Sequence, residues 1–535
     1  MYPQQWPMLE PGIDEPFGHC PPSRVRIPDG SDRFEHGLGV CEQWFDQGDD
    51  DVALTRKVVE HSRFGQADLL RDLPHGDGVV AALGEHHQRG AQDSSTRIVG
   101  HDLRSYPLTD RRSAPYRRDL TNGQYFCDKE DAVKNERILI SGAGIAGQVL
   151  GYWLARHGFR PTVVERAPRL RTGGQGVDIR DQAIDVAEKM GIMARVRDSA
   201  ADVAGMRFVR ADGRDLARID MQGIKEKYGS TEAEIMRGDL VRILHDITAD
   251  NVEYIFGDSI RGLEQDDEGV TVTFEHAPTR RFDLVIGADG LHSTVRRLAF
   301  GPESDHVRHM DHYFAFGNTD SALGPDRWMT VFNTPGHFAG IYRSGNHTQA
   351  KAYLMFRSPR RDIDPRDQEA ARTLLATEFR GENAWHVPEL LQGVLADPDA
   401  YIDTLGQVRM NSWSIGRVAL VGDAAYCASP ASGAGAELAL IGAYRLAGEL
   451  AAAGGDHHIA FHRYERAHRP LVDRKQKIGP NLRLMAPKTR VGIAVRNLIT
   501  RLPLLESMAG MERIMAPKSV EQLPDYRPPA ATIAE

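Results

Sequence analysis

The sequence predicts an α/β protein: a Rossmann-like nucleotide-binding domain interleaved with a second, β-sheet domain, followed by C-terminal helices and preceded by an N-terminal extension expected to be disordered. Three observations predict it. A short apolar run near residue 140 leads straight into a Gly-x-Gly-x-x-Gly turn. Two further apolar runs, near residues 285 and 420, end in Asp-Gly and Gly-Asp turns. Between them, apolar and polar residues alternate with period two, the mark of sheet.

At 535 residues the chain is long enough for two or three domains. A hydrophobic fraction of 41% and a charged fraction of 26% are those of a globular protein. Lys and Arg number 66 against 75 Asp and Glu, a formal charge of -9. No basic excess asks for nucleic acid or an anionic membrane surface. The most apolar stretch, 418–454, is interrupted by Asp423, Glu437, Arg445 and Glu449 and is not expected to span a membrane. Four cysteines without a Cys-x-x-Cys spacing make neither a disulfide framework nor a zinc site. The adjacent pairs His86-His87 and His457-His458 have no partner spacing that completes a metal set. No metal is expected, and the setting is expected to be reducing and cytoplasmic. Residues 1–12 lack the basic region and apolar core of a secretory signal.

Charge divides the chain near residue 133. Residues 1–132 hold 15 Lys and Arg against 23 Asp and Glu, a net -8, which leaves 51 against 52, a net -1, for the rest. The extension also carries Cys20, Cys41 and Cys127 and shows little periodicity beyond a short helical pattern at 51–61. Two readings stay open: a solvated, disordered tail, or sequence upstream of the natural start, with Val133-Lys134-Asn135-Glu136 as the lead-in to the first strand.

Arg137-Ile138-Leu139-Ile140-Ser141 is the kind of apolar run a buried parallel strand shows. It feeds into Gly142-Ala143-Gly144-Ile145-Ala146-Gly147, a helix-permissive stretch, a stop at Gly158 and a second strand, Thr162-Val163-Val164-Glu165. In such a βαβ unit Gly142 permits the tight turn, Gly144 admits a pyrophosphate to the backbone, and Gly147 lets the helix lie close to the sheet. The anion sits on unpaired N–H groups at the positive helix end. Glu165, ending the second strand, is placed to accept from a ribose hydroxyl, and Arg166 beside it counts among the cofactor-binding candidates.

Phe282-Asp283-Leu284-Val285-Ile286-Gly287-Ala288-Asp289-Gly290 is a second buried strand with its turn. Arg417-Val418-Ala419-Leu420-Val421-Gly422-Asp423 is a third, running through Pro430, Gly433, Ala434 and Gly435 into a helix from about Ala436. In these residues the chain resembles the group A, FAD-dependent aromatic hydroxylases of the para-hydroxybenzoate hydroxylase fold, over roughly 137–480. The resemblance implies that the first motif holds the ADP part of FAD, that Asp289 and Gly290 lie near the pyrophosphate and the nicotinamide path, and that Gly422 and Asp423 hold the ribityl chain. It places Pro430 and the Gly433–Gly435 loop against the flavin ring, where helix-start N–H groups would favour the anionic reduced form.

Gly173-Gly174-Gln175-Gly176-Val177-Asp178-Ile179-Arg180 and Ile235-Met236-Arg237-Gly238-Asp239-Leu240 are similar to the tetracycline-inactivating and actinobacterial polyketide monooxygenases. That similarity implies FAD contacts for Asp178 and Arg237 and an NADPH contact for Arg171. The chain departs from the family at Tyr426, where many members have His, at Glu437, where many have Asn, and at Gly442, where Asp is frequent.

The resemblance implies domains at 133–203, 235–308 and 405–455 for FAD, at 204–234 and 309–404 for substrate, and a helical region at 456–535 with breaks at Pro470 and Pro480. It also implies the chemistry. NADPH, with NADH as the alternative, binds transiently and reduces FAD; O2 adds at flavin C4a, and the hydroperoxyflavin oxygenates a small aromatic or polycyclic substrate. A monomer or homodimer is expected. No catalytic side chain is assigned, since none of the 21 histidines has an evident partner. The alternation Ala350, Ala352, Leu354, Phe356 predicts antiparallel strands with one buried face. The alternatives are a flavin-dependent reductase and a non-catalytic FAD-binding sensor. A halogenase would carry Trp-x-Trp-x-Ile-Pro, which Ser412-Trp413-Ser414-Ile415 does not supply.

Overall fold

Apolar runs with no polar alternation can be buried only between two covering layers, and such strands pair in parallel. The computed structural model describes residues 117–118, 125–126, 134–171, 173–223, 232–364, 366–478, 481–500 and 522–526. In it, a six-stranded sheet has the spatial order Ser414–Ile415, Val418–Leu420, Leu284–Gly287, Arg137–Ser141, Arg160–Glu165, Glu253–Phe256. All pairings are parallel except that of the short edge strand Ser414–Ile415. Ile138, Leu139, Ile140, Leu284, Val285, Ile286 and Leu420 are wholly buried. From Arg137–Ser141 the chain moves outward to one side and later returns to build the other, so the first glycine turn sits where the strand order reverses. Ligands of open α/β sheets bind in that crevice, beyond the strands' carboxyl ends.

Helix Ile145–Arg156 follows the first strand and packs against helix Gly435–Ala452, with Trp153 meeting Tyr444 edge-on at 4.9 Å. Gly147 is required there, because a Cβ on it would lie 1.9 Å from the carbonyl oxygen of Gly142. No larger residue lets the helix start this close to the strand.

A seven-stranded sheet forms the second layer system, in the order Tyr401–Val408, Val307–Thr319, Ala350–Arg357, His337–Tyr342, Trp328–Thr334, Gly205–Val209, Asp215–Asp220. Its pairings are antiparallel except between Trp328–Thr334 and Gly205–Val209. The expectation of a single buried face is corrected here. Ala352, Leu354 and Phe356 pack under helices Gln368–Glu378 and Val387–Ala396, through Leu375, Leu390 and Val394. The opposite face is buried too: Phe314, Phe316, Met355 and Leu405 gather with Leu482 and Ala486. Tyr353 and Met355 stand at intervening positions, with Lys351 the polar one, so the second face is too apolar to be left in water.

Pro470 does not break its helix, which runs from His457 to Lys475. Tyr464, His468, Leu471 and Val472 are buried on both sides of the proline and hold the helix through it. Within the extension, Arg117–Arg118 pairs antiparallel with Tyr125–Phe126. The rest of 1–132, including the helical pattern at 51–61, and Pro480 lie outside the described residues.

Two family departures form one packing unit. A Cβ on Gly442 would lie 1.9 Å from the Tyr426 hydroxyl oxygen and 3.0 Å from His468 Nε2. The large residue at 426 therefore requires the absent side chain at 442. Both sit in a closed aromatic cluster in which Tyr426 lies 4.7 Å from Trp413 and 4.9 Å from His468 between ring centroids. Gly442→Ala is expected to lower stability by about 1–3 kcal/mol through overpacking. Adding Tyr426→His should recover most of the loss in a denaturant melt. An unchanged midpoint for the single variant would refute the coupling.

Candidate cofactor and active site

At the carboxyl edge of the parallel sheet three turns lie side by side. In the first, the Glu165 carboxylate accepts from Ala143 N and Ala167 N, both at 2.9 Å, tying the glycine turn to the second strand. Gln148 donates from Nε2 to Ala143 O and Val241 O, both at 3.1 Å, and so fastens the turn to helix Arg237–Asp246. Helix Ile145–Arg156 begins at Gly144 with no side-chain cap and no acid in its first turn. Its first N–H groups therefore have no side-chain acceptor from the cap, and the helix end is positive. A Cβ placed on Gly144 would meet only Arg237 Nη2, at 4.0 Å. Bare N–H groups, open backbone and a neighbouring guanidinium form a donor set that fits a pyrophosphate.

Arg237 is half-buried and lies against the loop of Gly174, where a Cβ would come within 2.8 Å of its own Cβ. Burial holds its pKa below the ordinary arginine value and Arg171 lowers it further, while Tyr401, Glu165 and Asp423 oppose the shift. Arg171 itself is exposed. Arg166 is also exposed and makes no hydrogen bond or ion pair among the described residues.

The second turn is braced from within. Both carboxylate oxygens of Asp289 are engaged by the helix that follows: Ser293 Oγ donates at 2.5 Å, Thr294 N at 2.8 Å and Val295 N at 3.2 Å. Asp289 thus satisfies the first two N–H groups of helix Thr294–Phe300, whose N-cap Ser293 accepts from Arg296 N, and fixes the shape of the Gly290 turn. Arg296, one turn into that helix, is fully buried and was not singled out from the sequence. Its guanidinium donates to Leu291 O at 2.5 Å and Ala424 O at 2.9 Å, pinning the second turn to the third. Nothing local in sequence marks it, since helical arginines are normally exposed.

In the third turn, Asp423 begins the short helix Asp423–Tyr426. Water reaches its side chain, yet protein surrounds it closely enough for burial to push its pKa above the ordinary carboxylate value, with the Cys427 thiol and Arg237 opposing. Pro430 is exposed and opens the tight turn Pro430–Ser432. Ala434 is buried and precedes helix Gly435–Ala452, which also lacks a side-chain cap. Asp178 comes from the two-stranded sheet of Gly176–Ile179 and Ala233–Met236. Its Oδ2, like Arg180 Nη2, lies 3.6 Å from where a Cβ on Gly433 would be.

The expectation that no histidine is partnered is corrected. His292 Nδ1 lies 2.9 Å from Glu303 Oε2 and its Nε2 lies 2.9 Å from Asp403 Oδ1. Burial opposes its charge, but Asp403 and Glu303 outweigh it and raise its pKa to about 9. Asp403 Oδ2 also accepts from the Tyr401 hydroxyl at 2.6 Å. Asp403 is 111 residues from His292, a distance over which sequence spacing carries no signal. The ion cluster clamps the turn after Gly290 onto strand Tyr401–Val408.

A histidine whose folded pKa is raised contributes its full stabilisation below its unfolded pKa, near 6.5, and loses it as pH rises through the folded value. The stability difference between the native chain and His292→Gln is expected on the order of 3 kcal/mol at pH 6, shrinking steadily toward pH 10. Urea melts across that range measure it. A difference independent of pH would mean that His292 is not held as a cation.

Comparison with known proteins identifies the family. The family model "FAD binding domain" matches residues 136–473. A "Flavin-dependent monooxygenase" of Legionella longbeachae is 40% identical over 349 residues, 65% of this chain and 88% of that protein. "Uncharacterized protein Rv1260" of Mycobacterium tuberculosis is 44% identical over 340 residues, 63% of this chain and 91% of that protein. The crystal structure of tetracycline destructase Tet(51) is similar with a TM-score of 0.61 and 37% identity, covering 69% of this chain and 97% of that one. No described helix is long and apolar enough to cross a membrane. The chain belongs to the FAD-binding-domain family of flavin-dependent monooxygenases.

Proposed function

We propose that the chain is a nicotinamide-consuming monooxygenase that inserts one oxygen atom of O2 into an aromatic or polycyclic substrate. The observation that carries this is that the parallel strands end level at Ser141, Val164, Gly287 and Leu420, so the glycine turn, the Asp289 turn and the Asp423 turn open on one edge, with Arg237 Nη2 4.0 Å from where a Cβ on Gly144 would be. In this reading the N–H groups after Gly144 and the Arg237 guanidinium hold the FAD pyrophosphate. Glu165 and Asp423 accept from the ribose and ribityl hydroxyls, Asp178 adds a polar contact, and Gly422, Pro430 and the Gly433–Gly435 loop support the ring. Arg171, Arg166 and the turn fixed by Asp289 and Gly290 lie on the route of a transiently bound NADPH or NADH. Bound FAD supplies two-electron reduction by the nicotinamide and activation of O2. The protein supplies position and exclusion of water.

For the substrate, the support is the aromatic face of the seven-stranded sheet. Phe316 stacks on Tyr353 and Tyr401 with ring centroids 5.9 and 5.5 Å apart. Tyr401 also feels the charge of Asp423, which links this face to the crevice. Rings in such a wall favour a planar, apolar ligand. Domains at 133–203, 235–308 and 405–455 for cofactor and 204–234 and 309–404 for substrate are proposed with them; most strands of each sheet lie within the corresponding ranges, while Val307–Thr319 and Tyr401–Val408 of the seven-stranded sheet cross the boundaries.

Oxygen-18 labelling tests the reaction. With 18O2, NADPH and a panel of phenols, anthraquinones and fused-ring polyketides, a responsive substrate should gain one labelled oxygen atom while NADPH and O2 are consumed. Label arriving from water, or NADPH oxidation without any product, would contradict it. Asp423→Ala is expected to weaken FAD binding by roughly 10- to 150-fold, the worth of about 1.5–3 kcal/mol for hydrogen bonds to a charged group. Fluorescence titration of the apo-protein measures this, and an unchanged dissociation constant would remove Asp423 from the cofactor site.

A further inference from the structure

On the face of the seven-stranded sheet that carries Phe356 and Ile402, opposite Phe316 and Tyr353, a cavity lies between strand Val307–Thr319 and helix Gln368–Glu378. It measures about 640 Å³, counting the part open to solvent. A bulge shapes it. His309 stands opposite Gly406 and Tyr313 opposite Thr404, so four steps along one strand match two along the other, and Asp311 between them has a left-handed φ of 53°. Bulges and strained residues other than glycine recur where a strand re-aims its side chains toward a ligand. Both rings line the cavity, 5.3 Å apart between centroids, and so does Phe356, which stacks on Tyr313 at 5.3 Å.

Two hydrogen-bond donors in this wall have no acceptor among the described residues. The His309 side chain is 10% exposed. Burial holds its pKa below the ordinary histidine value, with Asp311 opposing and Arg360 adding to the shift, so the ring is neutral. Its Nδ1 accepts from Asp311 N at 3.0 Å while the Asp311 carboxylate stays 3.6 Å away, which puts the ring proton on Nε2. Nε2 is buried and unpartnered. The Tyr313 hydroxyl accepts from Arg361 N at 2.8 Å and keeps its own proton to donate. The charges of the wall cancel: His292, Arg360 and Arg361 against Glu303, Asp364 and Asp403. Behind them Glu378 pairs with Arg361 and Arg296 stands 4.0 Å from Glu303, which cancel as well. A charged ligand would bring an unpaired charge here and a neutral one would not.

We propose that this cavity is a second ligand site, separate from the cofactor crevice, for a neutral single-ring aromatic compound carrying a carbonyl oxygen. The oxygen accepts from His309 Nε2 and the Tyr313 hydroxyl, and the ring lies against Phe356, Ile402 and Leu374. A carbonyl has two lone pairs and no proton to place, and a buried donor without an acceptor carries a cost that such an oxygen relieves. The end of the cavity adjoins the cofactor edge: Asp403 lines it and accepts from the Tyr401 hydroxyl at 2.6 Å, and His292 lines it just after the Gly290 turn.

The test titrates 4-fluoroacetophenone into full-length, FAD-loaded protein and counts bound probe by fluorine NMR. Ala371→Trp, on the helix that covers the cavity, fills it from above, so the native chain should bind one equivalent more than this variant; probe that enters the cofactor crevice is common to both. His309→Phe keeps a ring but removes the donor, and should weaken that equivalent about tenfold. Tyr313→Phe should weaken it by a similar factor and serves if His309→Phe does not fold. 4-Fluorotoluene, which lacks the oxygen, and 4-fluorobenzoate, which is charged, should bind there about tenfold more weakly or less. Equal stoichiometry in the native chain and Ala371→Trp, or an affinity unchanged in both His309→Phe and Tyr313→Phe, overturns the proposal.

Discussion

The pairing that levels Ser141 with Val164 on one side and Gly287 on the other, and Gly287 in turn with Leu420, is the constraint on which the rest of the molecule depends. Parallel strands in register end together, so the turns after them open on one edge. A slip of one residue between any two strands would exchange the side chains that the two covering layers meet and set the turns at different heights. The wholly buried Ile138–Ile140 and Leu284–Ile286 positions forbid that slip. The cleft therefore follows from hydrophobic register, and the polar residues only finish it.

Each turn is then stiffened by a contact that belongs to the protein itself. Glu165 holds the first through two backbone N–H groups, Asp289 caps the helix of the second, and Arg296 joins the second to the third. The His292 cluster fastens this edge to the strand of the larger sheet that carries Tyr401. Buried charges are costly unless paired and hydrogen-bonded. Here Glu165, Asp289 and His292 are paired or hydrogen-bonded, and buried Arg296 donates to two carbonyl oxygens while its Nε has no partner among the described residues.

The parts legible in the sequence are those whose signal is local. The glycine turn and the Asp-Gly and Gly-Asp segments are written within short windows, and the apolar runs that lead into them, Ile138–Ile140, Leu284–Ile286 and Val418–Leu420, are buried as expected. What was missed joins distant segments. His292 meets Asp403, Arg180 meets Glu437, and neither spacing has a period. Pro470 and the second buried sheet face were misjudged because packing overrides a local breaker and because aromatic and Met residues stand where polar ones would mark an exposed face. Tyr426 and Gly442 stood out singly as departures, and only their contact shows that they are one exchange of volume.

The most direct measurement is the structure of the protein loaded with FAD. The pyrophosphate should rest on the backbone N–H groups following Gly144 with Arg237 beside it, the ribityl chain should reach Asp423, and the ring should lie against Pro430 and the Gly433–Gly435 loop. A pyrophosphate bound away from the Gly144 helix start, or a flavin ring remote from that loop, would contradict the placement of the cofactor and with it the roles assigned to Glu165, Arg237 and Asp423.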